Sequence, residues 1–236
     1  MDFASFEKTL NTYNMDVVMC VDATGGMREF SYELKENIRF FSRKLAEEME
    51  VRGCPLDLFR IKFFFFRDYG CDCEPMVESR FFSLPEEEDD MEAFVRDIVA
   101  EGGGDMPENA LEALAHAMMS DWMSEGRRKR QIVLLFTDAS AVPLGERKDC
   151  PGYPIGMPES LEELRSWWED PNVNQRVTHN PRQSYLFLYA PETEPWDEIA
   201  RSWSRCMLTP VYCSNSLCEV RLEEVARTVG QMIALT

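Results

Sequence analysis

Several short runs in this chain are apolar at most positions rather than at every second one, and they constrain its fold more than any other feature. Residues 17–21 read "VVMCV", residues 58–66 contain "IKFFFF", and residues 132–136, 185–189 and 207–212 continue the series. A strand with one face in water alternates apolar and polar side chains, whereas a strand that is apolar throughout is covered on both faces. Such strands belong in a mostly parallel sheet with helices on each side.

The stretches between the runs supply those helices. Within residues 27–51, Phe30, Leu34, Ile38, Phe41 and Leu45 recur every three or four positions, and residues 91–100, 107–123, 160–170, 195–203 and 222–235 follow the same period. The acidic run "PEEEDD" enters a helix, whose N-terminal dipole favours carboxylates. After "RDYGCDCEP", the short "ESRFFSL" reads as a strand that pairs back as an antiparallel edge. The expected architecture is α/β: a Rossmann-like three-layer α/β/α sandwich with a mostly parallel central sheet and one antiparallel edge strand. Residues 1–236 are read as a single domain, and the Pro-rich stretch at about 139–182 as an elaborated loop region on it. Trp167 and Trp168, adjacent on a helix of that stretch, cannot share one face. Packing onto the domain is the favoured reading, and an exposed interface anchor is the other.

Composition narrows the functional classes. With 236 residues, 44% hydrophobic and 29% charged, the chain is long enough to bury a substantial core. Its formal charge of -18, from 43 acids against 25 bases, repels phosphate backbones and anionic lipid surfaces, so neither nucleic acid nor membrane is expected as a partner. The basic "RRKR" at residues 127–130 reads as a solvated loop. No run approaches the about 18 apolar residues of a membrane helix. The opening "MDFASFEKTLNTYN" has neither a basic n-region nor an apolar h-region, so a soluble cytoplasmic protein is expected. The eight cysteines are read as reduced thiols, because Cys20 lies inside a core strand. The pairs Cys71/Cys73 and Cys213/Cys218 also lack zinc-ribbon spacing.

Open parallel sheets bind ligands beyond the carboxyl ends of their strands, where the strand order reverses. The first apolar run ends in "DATGGM", with Asp22 and then Thr24; "QIVLLFTD" ends in Thr137 and Asp138. "EGGGDMPENAL" places Asp105 in a glycine-rich turn directly before a helix. Each acid taken alone reads as a helix cap or turn residue. Taken together, Asp22 and Asp138 face one another across a crevice, with Asp105 brought near. Carboxylates so placed are offset by protons or by a cation. A hard cation with oxygen ligands fits, Mg2+ first and then Mn2+ or Ca2+.

In these motifs the chain resembles the von Willebrand factor type A domain with its metal-ion-dependent adhesion site. The matching segments are Asp22-Ala-Thr24-Gly-Gly26-Met27, the glycine-rich stretch from Gly102 through Asp105 to Glu108, and Thr137-Asp138-Ala139. "FRDYG" looks like the second strand's exit in bacterial members. The resemblance implies a metal held by Asp22, Thr24, Asp105 and Asp138, directly or through water. It also implies an intracellular, bacterial-type protein-interaction module rather than an enzyme, with an acidic side chain of a partner protein completing the ion's shell. One position departs from the pattern: Gly26 stands where the family has its second small hydroxyl residue. The alternatives are a degenerate scaffold without metal and a metal-dependent phosphoryl hydrolase. The hydrolase reading suffers because Thr24 stands where a second Asp would serve as general acid, and because the chain has no P-loop. His116, on a helix among Ala and Met, reads as packing.

Overall fold

The computed structural model describes residues 12–103, 107–170, 172–211 and 219–234. Its strands are β1 (Tyr13–Asp22), β2 (Leu56–Phe66), β3 (Met76–Glu78), β4 (Phe82–Leu84), β5 (Lys129–Phe136), β6 (Ser184–Ala190) and β7 (Cys206–Pro210). Its helices are α1 (Arg28–Val51), α2 (Glu88–Asp97), α3 (Ala110–Met118), α4 (Leu161–Glu169), α5 (Trp196–Ser202) and α6 (Leu222–Ala234), with a short 3-10 turn, Gly25–Met27, leading into α1.

One seven-stranded sheet runs in the order β3-β2-β1-β5-β6-β7, with β4 also paired to β2. The pairs β1–β2, β1–β5, β5–β6 and β6–β7 are all parallel. The expected antiparallel edge is present, divided into two pieces. β3 pairs with Phe64–Phe66 and β4 with Phe59–Ile61. Between them Ser79 keeps the ladder closed: its Oγ accepts from Phe63 N at 2.8 Å, and its N–H donates to Phe63 O at 3.0 Å.

Alternate residues of each inner strand enter different cores, as double coverage requires. Met15, Val17, Met19 and Val21 of β1 face one layer together with Ile61, Phe63, Ile132, Leu134 and Phe187. Phe30, Leu34, Ile38, Phe41 and Leu45 of α1 and Leu222, Val225 and Val229 of α6 complete that layer. Each such side chain contributes about 1.5–3 kcal/mol when fully buried. Val18 and Cys20 face the other way, with Phe64, Val133, Leu135 and Leu188, onto α3, α4 and α5.

The Pro-rich stretch is part of this second core, not a cover laid over it. Leu144, Met157, Leu164 and Val177 are buried there. Both tryptophans are buried too, which removes the exposed-anchor alternative. Trp168 stacks on His179 with centroids 5.0 Å apart, and its indole donates to Ser204 O at 2.9 Å. Helix α4 starts on a reciprocal cap, in which Ser160 Oγ accepts from Glu163 N while Glu163 accepts from Glu159 N.

Other boundaries differ from the sequence expectation for local reasons. Helix α3 stops at Met118 rather than continuing toward residue 123. Ser120 Oγ and the Trp122 indole take up the carbonyls of His116 and Ala117, closing its last turn. The basic run at 127–130 is only partly loop, since Lys129 and Arg130 open β5. Arg128 and Arg130 lie over the Tyr13 ring at 5.4 and 5.0 Å. Tyr212, Cys213 and Cys218 lie outside the described residues; Cys20, Cys54, Cys71, Cys73, Cys150 and Cys206 are free thiols. Among the described residues no helix is long and apolar enough to cross a membrane.

Candidate functional site

Strand order reverses at β1, which sends β2 to one side and β5 to the other. The crevice beyond these carboxyl ends is where Asp22 and Asp138 sit. Asp22 is 1% exposed. Its Oδ1 accepts from Thr24 N at 2.9 Å and from Thr24 Oγ1 at 2.7 Å, forming a local turn about the end of β1. Its Oδ2 accepts from Thr137 Oγ1 at 2.8 Å, across to the end of β5. Burial pushes the Asp22 carboxyl up to about 6, against the pull of the Thr24 and Thr137 hydrogen bonds, with Asp138 adding to the rise.

Asp138 is half-buried, and burial raises its carboxyl as well. A Cβ placed on Gly26 would stand 3.2 Å from Asp138 Oδ2. The position that lacks the second hydroxyl therefore borders the Asp138 carboxylate. Asp22, Thr24 and Asp138, read from the sequence as ligands, are brought to one crevice. Asp105, the fourth, lies outside the described residues.

The loop before α3 closes this crevice from the side. Gly25 N donates to Gly102 O at 3.2 Å, and Glu101 N to Ala23 O at 3.0 Å. Gly102 has φ +74°, and a Cβ there would stand 2.0 Å from Asp72 Oδ1, so any other residue is strained and must displace the Asp72 carboxylate. Asp72 in turn accepts from Gly103 N and from Asp68 N.

Four charged residues at the site were not singled out in the sequence: Arg67, Asp68, Glu108 and Arg147. Arg67 is 7% exposed and donates only to backbone carbonyls. Nε reaches Ala23 O at 3.3 Å and Glu101 O at 3.1 Å, while the terminal nitrogens reach Glu74 O and Val99 O, both at 2.8 Å. One guanidinium thus ties the exits of β1 and β2 to both flanking loops. Asp68 forms a two-point ion pair with Arg147, at 3.0 and 3.3 Å, and accepts from Gly70 N at 2.7 Å. Burial alone would raise Asp68, but the Gly70 N–H and the Arg147 guanidinium outweigh it and hold the carboxyl below its ordinary value.

Glu108, just ahead of α3, is 3% exposed, and its Oε2 has no hydrogen-bond partner. Burial pushes its carboxyl up to about 8, with Asp22, Asp68, Asp72 and Asp138 adding to the rise. Its backbone is fastened to the segment after Asp138, through Glu108 N to Ser140 O at 3.3 Å and Val142 N to Glu108 O at 2.9 Å. The sequence held no signal for Glu108 beyond its place in "GDMPE", since that anchoring joins segments far apart in the chain. His116 packs as expected, its ring 5.5 Å from that of Phe64.

The donor set of the crevice is entirely oxygen, from carboxylates, a threonine hydroxyl and backbone carbonyls, which suits a hard divalent cation and not a soft one. The buried Oε2 of Glu108 has no hydrogen-bond partner, and with its carboxyl raised to about 8 the group favours its neutral form beside these acids. Among the described residues, no three Asp, Glu, His or Cys side chains stand close enough to hold an ion by themselves.

No protein-family model matches the sequence, and no curated protein matches it. Solved structures do match. A von Willebrand factor type A structure from Catenulispora acidiphila superposes with a TM-score of 0.52 at 12% identity, over 92% of this chain and 42% of that one. The pilus adhesin SpaC from Lactobacillus rhamnosus GG gives 0.52 at 8% identity, over 95% of this chain and 30% of that one. Proximal thread matrix protein 1 from the mussel byssus gives 0.50 at 12% identity, over 94% of this chain and 48% of that one. The chain thus spans less than half the length of each of these structures. The parallel sheet reversing at β1, the antiparallel edge, the two helical layers and these superpositions together establish that the chain has the von Willebrand factor type A fold.

Proposed function

We propose that this chain is a protein-interaction module that binds its partner through a hard divalent cation, Mg2+ before Mn2+ or Ca2+, held at the β1/β5 crevice. Asp22, Thr24 and Asp138 are the ligands to which the reading assigns the ion, with Asp105 contributing from the glycine-rich loop. An ion there would offset the carboxylates and leave a coordination position for an acidic side chain of the partner. The observation that carries the reading is the placement of Asp22 and Asp138 on the two walls of the strand-order reversal. Thr137 links the walls, and position 26, where even a Cβ would stand 3.2 Å from Asp138 Oδ2, borders the Asp138 carboxylate. Binding rather than turnover is the activity proposed. The adhesin among the superposed structures is compatible with it, although that likeness bears on the fold alone.

The test is calorimetric titration of Mg2+ and Mn2+ into chelator-stripped protein, beside Asp22→Ala. One saturable site, lost in the variant, is the expected result. A second reading, a metal-free scaffold, draws on the absence of a three-residue ligand cluster among the described residues and on the missing hydroxyl at Gly26. It is the reading that stands if neither ion binds the wild-type protein.

A further inference from the structure

The loop that leaves β2 is closed at its base. Arg67 N donates to Pro75 O at 2.8 Å, and the Arg67 guanidinium donates to Glu74 O at 2.8 Å. Both ends of the segment between are thereby held, so a change of shape within it must be absorbed within it. The segment carries "CDC": Cys71 and Cys73 are both exposed free thiols, with Asp72 between them. The chain bends here, since Cys71 N and Asp72 N both donate to Asp68 O, at 3.2 and 2.9 Å. Consecutive Cα atoms are about 3.8 Å apart, so residues two apart in a bent chain fall within the about 4.4–6.8 Å that a disulfide spans.

Asp72 fastens this loop to the glycine loop of the crevice. Its carboxylate accepts from Gly103 N at 3.2 Å on one side and from Asp68 N at 3.1 Å on the other. The fit is close, since a Cβ on Gly102 would fall 2.0 Å from its Oδ1. The Cys71 thiol is hydrogen-bonded to the Asp68 carboxylate and must leave it to meet Cys73. Bridged cysteines bring their Cβ atoms to about 3.8 Å. Drawing the two flanking residues together turns the backbone of Asp72, and its carboxylate then loses Gly103.

We propose that Cys71 and Cys73 are an oxidation site: in closing to a disulfide they withdraw Asp72 from Gly103 and loosen the glycine loop at the crevice. No ion need be bound for this coupling. The oxidant is a low-molecular-weight disulfide such as oxidised glutathione. Asp68 pushes the Cys71 thiol up, which leaves Cys73 as the attacking sulfur. The Cys73 thiolate forms a mixed disulfide and expels one glutathione thiolate, and the Cys71 thiolate then displaces the second. Two protein thiols are oxidised, one glutathione disulfide is reduced to two thiols, and the protein's thiol protons pass to the departing thiolates.

The experiment treats the whole chain with oxidised glutathione, maps its disulfides by mass spectrometry, and follows exchange of the Gly103 amide by NMR. The expected product has a Cys71–Cys73 bridge without retained glutathione. Its Gly103 amide is expected to exchange faster by about fivefold or more, the factor equivalent to one net hydrogen bond, and a dithiol reductant to restore the slower rate. Cys73→Ser is expected to show neither the bridge nor the faster exchange. Asp72→Ala is expected to exchange fast already when reduced, with no further rise on oxidation, which locates the coupling in that carboxylate. Unreacted thiols, a stable mixed disulfide, or pairing of either thiol with another cysteine overturns the oxidation site. A Cys71–Cys73 bridge that leaves Gly103 exchange unchanged overturns its link to the crevice, and a further rise in oxidised Asp72→Ala overturns the role of Asp72.

Discussion

The Thr137 hydroxyl donates to Asp22 Oδ2 at 2.8 Å, joining the ends of β1 and β5 across 115 positions of sequence. The same oxygen accepts from Ala139 N at 3.2 Å, so one hydroxyl both fixes the Asp22 carboxylate and shapes the turn that presents Asp138.

Thr137→Val keeps the shape and removes both bonds. It is expected to cost about 1–3 kcal/mol, the range for leaving a buried polar group unsatisfied, and to move the Asp22 carboxyl further up. Urea denaturation and a carboxyl NMR titration check the two effects. An unchanged midpoint would show that water replaces the hydroxyl without loss.

Gly102 and Gly53 share nearly the same left-handed backbone, with φ +74° and +73°, but only Gly102 is obstructed. Alanine at either position carries the conformational cost of about 1–2 kcal/mol. At Gly102 the new methyl must also displace Asp72. Gly102→Ala is therefore expected to be the more destabilising of the two, measured by chemical denaturation side by side. Equal losses would mean that Asp72 moves aside freely.

At the opposite end of β1, Asp16 is 1% exposed and receives Arg60 at 2.8 and 2.7 Å, together with Met123 N at 2.6 Å. Asp16→Ala removes both Arg60 bonds and leaves Met123 N unsatisfied, while Arg60 keeps Asp121 O and the Phe81 ring, and it is expected to cost about 1–3 kcal/mol. The double replacement Asp16→Leu with Arg60→Met removes both charges and is expected to cost clearly less. Equilibrium unfolding of the set distinguishes the pair's own contribution from the penalty of breaking it from one side.

Burial lowers the basicity of His179, which is stacked on Trp168. Its folded-state value lies below the unfolded one, near 6.5, so the unfolded chain takes up the proton first. Stability from this residue is present above that pH and is lost as pH falls below it, by at most about 1.4 kcal/mol per pH unit. His179→Phe is expected to be less stable than wild type at pH 8, and the gap is expected to narrow as pH falls toward 5. A gap constant with pH would show that His179 stays neutral in both states or ionises equally in both.

The sheet was legible because its strands announce themselves locally. "VVMCV" and "IKFFFF" are apolar on both faces, and no long-range knowledge is needed to see it. The position of Asp22 and Asp138 at strand ends was legible for the same reason, since Asp22 ends one such run and Asp138 follows another with one residue between. Arg67 was not, because its four acceptors are backbone carbonyls from residues 23, 74, 99 and 101, and carbonyls carry no side-chain signature. Arg147 finds Asp68 only after the chain has crossed the second helical layer. The tryptophan pair divided the sequence reading because a lone helix has one buried face. Here the Pro-rich segment wraps α4, and both rings find cover.

The Arg67 guanidinium has a last consequence. Its hydrogen bonds hold the ends of the crevice loops from beneath, with partners that belong wholly to the chain. Four points of the rim, at residues 23, 74, 99 and 101, are thus fixed before any occupant arrives, like the prongs of a ring made before the stone. At those points an arriving ligand has no chain ordering left to impose, so they add no ordering cost to its binding.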